Sequence, residues 1–388
     1  MLRRFCLLAL VAILSLAARS GWAIQYASIV IDAKTGKVLH AVNPDERAYP
    51  ASLTKMMTLY LTFEALRSKT ITLDQKLPVS RLAERRSPSK LGLRRGQRIG
   101  VGDAISALVT KSANDVATVV AEALGGTEVR FAQRMTAKAR QLGMTRTTFR
   151  NASGLPNRGQ VSTARDMAKL AVALQRDFPE YYQYFSLKTF EYGGQTYRNH
   201  NRLLARYRGT DGIKTGYVHE SGFNIAASVE RNGHRLICVV LGGKSAARRD
   251  RHAAKLLDNA FETLAEAPAV AGDGTGAKAI DFAGVRPAPP AAEVVSEPVA
   301  SWGVQVGAFN RYAPAHLAAT RAARKARVLL GTRVAIVPSE GDDGQVFRAR
   351  LIGLSESQAR DACRMLKRRK VGCLVVRSGE ETAEGDRD

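Results

Sequence analysis

Past residue 23 the sequence has no apolar run long enough to cross a bilayer, so no permanent membrane-spanning helix is expected there. Acids are also scarce. Against 35 Asp and Glu stand 59 Lys and Arg, a net charge of +24 that disfavours cationic partners and favours polyanions or acidic surfaces. The six histidines do not cluster around the four cysteines, so a zinc site is not expected and neither a metal nor a cofactor is implied. With 45% hydrophobic and 24% charged residues over 388 positions, disorder and collagen are excluded, and the length allows about two domains.

What is present begins with Arg3 and Arg4, an apolar run over 7–18, and then Gly21, Trp22 and Ala23. Charged, apolar and small-residue regions in this order predict a secretory signal peptide over 1–23. Its removal takes away three arginines and leaves +21 on an exported chain, for which nucleic acid is not an expected partner. Cys6 leaves with the signal. Cys363 and Cys373 lie close together in sequence in an oxidising compartment, which leaves a disulfide open, and Cys238 in an apolar strand reads as a buried thiol.

Residues 267–300 hold 10 Ala, 5 Pro and 4 Gly without apolar periodicity and read as a linker. The body before it, 24–266, opens with a hairpin around Gly36, continues with amphipathic helical patterns over 52–66, 101–109, 115–124 and 163–174, and closes with strands over 222–229 and 234–242 and a helix over 249–263. Strands at both ends of a helical middle predict an α+β fold. The body after it, 301–378, reads as βαββαβ, a ferredoxin-like arrangement, and 379–388 is an acidic tail with five acids and one arginine.

Three short elements carry the chemistry. Ser52 and Lys55, spaced S-x-x-K at the expected start of a helix, project from one face, a hydroxyl nucleophile beside an amine that can act as its base if burial or a second cation lowers its pKa. The helix start would also offer a free N–H to an oxyanion. Ser112-Ala113-Asn114 falls between two helices, and Lys214-Thr215-Gly216 at the expected head of a strand. Each alone is commonplace. In this order, at helix start, loop and strand, they mark penicillin-binding proteins and class A β-lactamases. An earlier Lys34-Thr35-Gly36 sits in the hairpin turn, where the glycine serves the turn.

From about 29 to 265 the chain resembles the low-molecular-mass penicillin-binding proteins of the D-alanyl-D-alanine carboxypeptidase family, through 49–57, 112–116, 151–156, 162–167, 199–204 and 212–217. The resemblance implies a penicillin-binding-protein/β-lactamase-like domain that removes the terminal D-Ala of peptidoglycan pentapeptides, without a cofactor, and is acylated by β-lactams. It makes Ser52 the nucleophile, Lys55 its base and Ser112 a proton relay to the leaving amine. Asn114 would hold the substrate amide, Lys214 and Thr215 the terminal carboxylate, Gly216 would let a substrate lie along the strand, and the backbone N–H groups of Ser52 and Tyr217 would form the oxyanion hole. Arg249 matches an arginine near the carboxylate site, with Arg248 blurring the register. Tyr217 stands where some members carry histidine. No glutamate-bearing deacylation loop is evident, so slow release of penicillin is expected. A D,D-endopeptidase acting on cross-links, or a retired wall-binding protein, are the alternatives.

Residues 301–378 carry 15 Lys and Arg against 5 acids. Through 302–309, 347–353, Ala362-Cys363 and 372–376 they resemble the SPOR domain, which implies binding to glycan strands lacking stem peptides and a bond between the paired cysteines.

Overall fold

Every residue from 236 to 241 is apolar and buried, the pattern of a strand covered on both faces. The computed structural model, which describes residues 26–266, 302–309, 312–325, 333–341 and 344–377, shows what covers it. In chain order the first body runs β1 (Ala27–Asp32), β2 (Val38–Val42), α1 (Lys55–Arg67), β3 (Lys76–Pro78), β4 (Arg98–Gly100), α2 (Val101–Thr110), α3 (Asn114–Gly125), α4 (Glu128–Gln141), α5 (Ala164–Asp177), β5 (Thr189–Tyr192), β6 (Gln195–Arg198), β7 (Thr210–Val218), β8 (Gly222–Arg231), β9 (His234–Gly243) and α6 (Ala246–Glu266), besides single-turn helices. Five strands form one antiparallel sheet in the order β2-β1-β9-β8-β7.

Alternate residues of β9 face opposite layers. Ile237, Val239 and Leu241 join Ile29 and Ile31 against the helical middle of the chain. Leu236, Cys238 and Val240 join Val30, Ile225 and Val229 against Ala253, Leu256 and Leu257 of α6. The α+β expectation thus resolves into helix, sheet and helix layers, with β7 at one edge of the sheet.

The β1/β2 hairpin turns at Gly36 with φ +73°, while the Asp32 carboxylate accepts from the N–H groups of Lys34 and Thr35, so the early Lys34-Thr35-Gly36 is a turn. The β8/β9 turn places Asn232 and Gly233 at φ +51° and +76°, as a two-residue hairpin requires. Two helical expectations change. Helix α1 is buried on nearly every side rather than amphipathic, because it runs through the middle of the helical layer. Helix α4, which periodicity alone did not bring out among its charged residues, buries Phe131, Met135 and Ala139 at four-residue spacing and is capped by Thr127, whose side chain accepts from Arg130 N–H.

The second body runs β10 (Trp302–Phe309), α7 (Tyr312–Lys325), β11 (Arg333–Gly341), β12 (Gly344–Leu354), α8 (Glu356–Arg368) and β13 (Leu374–Arg377). Its antiparallel sheet has the order β11-β12-β10-β13, so each βαβ half holds a strand of the other between its own two. This is the split arrangement expected for 301–378. Val304, Ala349 and Leu351 pack with Ala315, Ala319, Ala359 and Leu366 of the helices, which by strand alternation sends Gln305, Arg348 and Arg350 to the other face. Cys363 of α8 and Cys373, one residue before β13, are disulfide-bonded, and Cys238 is a free buried thiol. The expected signal peptide, linker and acidic tail lie outside the described residues. Among the described residues no helix is long and apolar enough to cross a membrane.

Candidate active site

Ser52 is not at the first turn of α1. It lies in a 3-10 turn, Ala51–Thr54, that leads into the helix at Lys55. The turn is clamped from two sides. A Cβ on Gly154, where φ is +86°, would sit 1.9 Å from the Ala51 carbonyl oxygen, and one on Gly216 would sit 2.9 Å from Ser52 N. Only glycine at both positions lets β7 and the 151–155 loop close on Ser52. That loop is itself folded by Asn151, whose Oδ1 accepts from Gly154 N–H at 2.7 Å and Ser153 N–H at 3.2 Å.

Lys55 is fully buried. Its Nζ lies 3.1 Å from Ser52 Oγ, 2.7 Å from Asn114 Oδ1 and 2.5 Å from the Ser153 carbonyl oxygen. Burial holds this amine well below the usual lysine range, the charge of Lys214 lowers it further, and Asp115 opposes them. A neutral amine has two N–H groups and one lone pair. The two acceptors, Asn114 Oδ1 and the Ser153 carbonyl, take the two N–H groups. The lone pair is left for the hydroxyl hydrogen of Ser52. Asn114 is oriented for this by its Nδ2, which donates to the Ser87 carbonyl at 2.9 Å, and one amide hydrogen remains for a further acceptor.

Ser112 joins α2 to α3 with φ +59°, a conformation costly for a residue with a side chain. Its Oγ is buried without a hydrogen-bond partner among the described residues, so a hydroxyl held at a backbone cost points into the site unused. Asp115 fixes the facing segment: its carboxylate accepts from the N–H groups of Leu91, Gly92 and Leu93 at 2.9–3.1 Å.

Lys214 sits in the middle of β7, not at its head. The Asp211-Gly212 pair that resembles a turn lies within the strand, where the pairing to β8 shifts register. Lys214 is buried, with its pKa pushed down to about 7 by burial and then by Arg249. Thr215 is buried beside it. The Tyr217 ring is 54% exposed and packs against Phe223 with ring centroids 4.4 Å apart. Arg249 is buried and Arg248 exposed, which settles which of the two turns inward. The Arg249 guanidinium donates to the Asn224 carbonyl at 2.6 Å and pairs with Asp250.

Ser52, Ser112, Asn114, Thr215, Gly216, Tyr217 and Arg249 all line one cleft of about 990 Å³, with Lys55 and Lys214 buried behind it. Three contributors had no role in the motif reading: the Ser153 carbonyl, Asp115 and the cationic 198–206 segment along one wall. All fall in or beside stretches that carried the resemblance, but a carbonyl's contact has no side-chain signature in a sequence.

A family model described as D-alanyl-D-alanine carboxypeptidase (Peptidase_S11) matches residues 21–245, and the chain belongs to this family. A second model, the SPOR domain, matches residues 298–377. D-alanyl-D-alanine carboxypeptidase DacC of Escherichia coli is 38% identical over 240 residues, covering 60% of this chain and 60% of that protein. The crystal structure of penicillin binding protein 5 from Haemophilus influenzae is similar at 34% identity and a TM-score of 0.59, over 61% of this chain and 70% of that one. A D-alanyl-D-alanine endopeptidase of Pseudomonas aeruginosa is 32% identical over 223 residues, 55% of this chain and 70% of that protein. The chain spans about 60% of the length of the curated carboxypeptidases it matches.

Proposed function

We propose that this protein is a serine-type D-alanyl-D-alanine carboxypeptidase of the periplasm. In this reading 24–266 is the catalytic body, 267–300 a tether and 301–378 a module that takes denuded glycan strands on the sheet face bearing Gln305, Arg348 and Arg350. The observation that carries the reading is the buried Lys55 amine, whose two N–H groups are occupied and whose third position faces Ser52 Oγ.

In this reading the cleft residues act in the following order. The terminal carboxylate of a stem pentapeptide is drawn to the positive charge of Lys214 and the Thr215 hydroxyl, with Arg249 adding charge while held by Asp250. Asn114 offers its remaining amide hydrogen to a substrate carbonyl. Ser52 Oγ attacks the carbonyl carbon of the penultimate D-Ala as its proton passes to Lys55, and the oxyanion is met by the N–H groups of Ser52 and Tyr217. The proton reaches the leaving amine through Ser112, D-Ala departs, and water cleaves the ester to restore the hydroxyl. A β-lactam acylates the same oxygen and is released slowly.

Mass spectrometry of pentapeptide and cross-linked muropeptides, incubated with the protein and with Ser52→Ala, tests this. Loss of one alanine only with Ser52 intact is the expected result. A D,D-endopeptidase is the second reading, favoured by the similarity to the Pseudomonas aeruginosa endopeptidase, and would release cross-linked stems in the same assay. A retired wall-binding protein would give neither product and no covalent adduct with a fluorescent penicillin.

A further inference from the structure

The cleft is charged in one sense only. Among the described residues its lining includes Lys188, Arg198, Arg202, Arg206 and Arg249 and no Asp or Glu. Of these, Arg249 has Asp250 as a partner. The other four are exposed and form no ion pair among the described residues. Arg198 ends β6, and Arg202 and Arg206 follow at four-residue steps on the segment that leads to β7, so three unpaired guanidinium groups come from one wall of the cleft. The charges act on one another. Arg202 bears on Arg249, Arg249 on Lys214, and Lys214 on Lys55, each disfavouring the cation next to it. Like charges gathered around a cleft without counter-charges raise the energy of the empty state, and an anionic ligand relieves it. One terminal carboxylate placed at Lys214 and Thr215 answers the inner end of this chain and leaves the outer guanidinium groups unanswered.

We propose that Arg198, Arg202 and Arg206 form a second carboxylate-binding wall, and that the substrate it fits is an acyl-D-Ala-D-Ala peptide bearing a further free carboxylate on the side chain of the residue before the D-Ala pair. The amidated form of the same peptide is disfavoured. Arginine suits this task because its planar fork meets a carboxylate with two parallel N–H groups. The wall is a specificity device rather than part of the acyl-transfer chemistry. It rests on the carboxypeptidase reading for the identity of the peptide and on the cleft's charge alone for its preference.

The test is a pair of pentapeptides identical except that this side carboxylate is free or amidated. Turnover by the full chain is expected to favour the free acid by about tenfold in kcat/KM at low ionic strength, and the preference to shrink several-fold between about 50 and 300 mM salt, since exposed charges are screened. In the triple variant Arg198→Gln, Arg202→Gln, Arg206→Gln the preference should fall below about twofold. Equal kcat/KM for the two peptides, or a preference that survives the triple variant, overturns the inference. Calorimetric binding of both peptides to Ser52→Ala separates this outcome from failure of the underlying reading. If neither peptide is hydrolysed, the carboxypeptidase reading fails, yet tighter binding of the free acid still supports the wall and equal binding refutes it.

Discussion

Two lysines meet opposite demands within one cleft. In the proposed reaction Lys55 is neutral to accept the Ser52 proton, whereas Lys214 is charged to hold a carboxylate. Lys55 lies well below the usual lysine range and Lys214 at about 7. Acylation therefore rises with pH as Lys55 deprotonates and falls as pH passes upward through about 7, where Lys214 loses its charge. A bell-shaped pH profile for the second-order acylation rate with a penicillin is the expected outcome. In Lys214→Arg, whose guanidinium stays charged, the alkaline limb should disappear; a limb that stays in place would assign it to another group. Gly216→Ala tests the clamp: its Cβ would meet Ser52 N at 2.9 Å, so acylation should drop more than about tenfold while the fold persists. Gly154→Ala, with backbone 1.9 Å away and φ +86°, should in addition lower the melting temperature. At this scale Ser52, Lys55, Ser112, Asn114 and Lys214 were legible because each is a distinctive side chain at a fixed spacing. The Ser153 carbonyl was not, since any residue there presents the same atom.

At the scale of elements, the site depends on the segment 87–93 being pinned to the start of α3. Asp115 does this through three backbone N–H groups. Asp115→Ala would leave them without their acceptor at about 1–3 kcal/mol each, so a fall in melting temperature of roughly 6–12 °C or more is expected in calorimetry, together with slower acylation as Ser87 lets go of Asn114. A change below about 2 °C would mean that water replaces the carboxylate. Element boundaries were legible where periodicity or turn chemistry was strong, as in the β8/β9 hairpin around Asn232 and Gly233. They were not where burial is complete or charge is dense. Helix α1, expected over 52–66 and found over Lys55–Arg67, is buried on nearly every side and lacks the amphipathic face expected of it, and α4 hides its apolar stripe among five charged residues, Glu128, Arg130, Arg134, Lys138 and Arg140. In β7 the Asp211-Gly212 pair imitates a turn, and only pairing with β8 keeps it in the strand.

At the scale of the whole molecule there are separate cores for the two bodies, with the Cys363–Cys373 bond in the smaller one. Reducing that bond, or replacing it by Cys363→Ser and Cys373→Ser, should cost the second body about 2–3 kcal/mol and leave penicillin acylation by the first intact, which two-transition calorimetry beside a labelling assay would register. If 267–300 is the tether and 301–378 the glycan-binding module proposed above, removing 301–388 should weaken sacculus binding without lowering turnover of soluble peptide, because a tether raises local concentration and adds no catalytic contact. The expectation of two bodies came from composition, since an Ala/Pro/Gly stretch such as 267–300 cannot sustain a core, and that stretch lies outside the described residues. The layering of the first body was not legible, because one apolar strand reads the same whether one layer or two cover it.

That double cover has a practical use. Cys238 faces α6 from the central part of the sheet, and its thiol is pushed up to about 12 by burial. With Cys363 and Cys373 joined, it is the one free sulfhydryl among the described residues. A thiol-specific dye can reach it only when α6 lifts from the sheet or the whole body opens, so the rate of dye uptake becomes a clock for that opening. Read with and without a bound penicillin, the clock would report how far acylation at Ser52 stiffens the far side of the sheet.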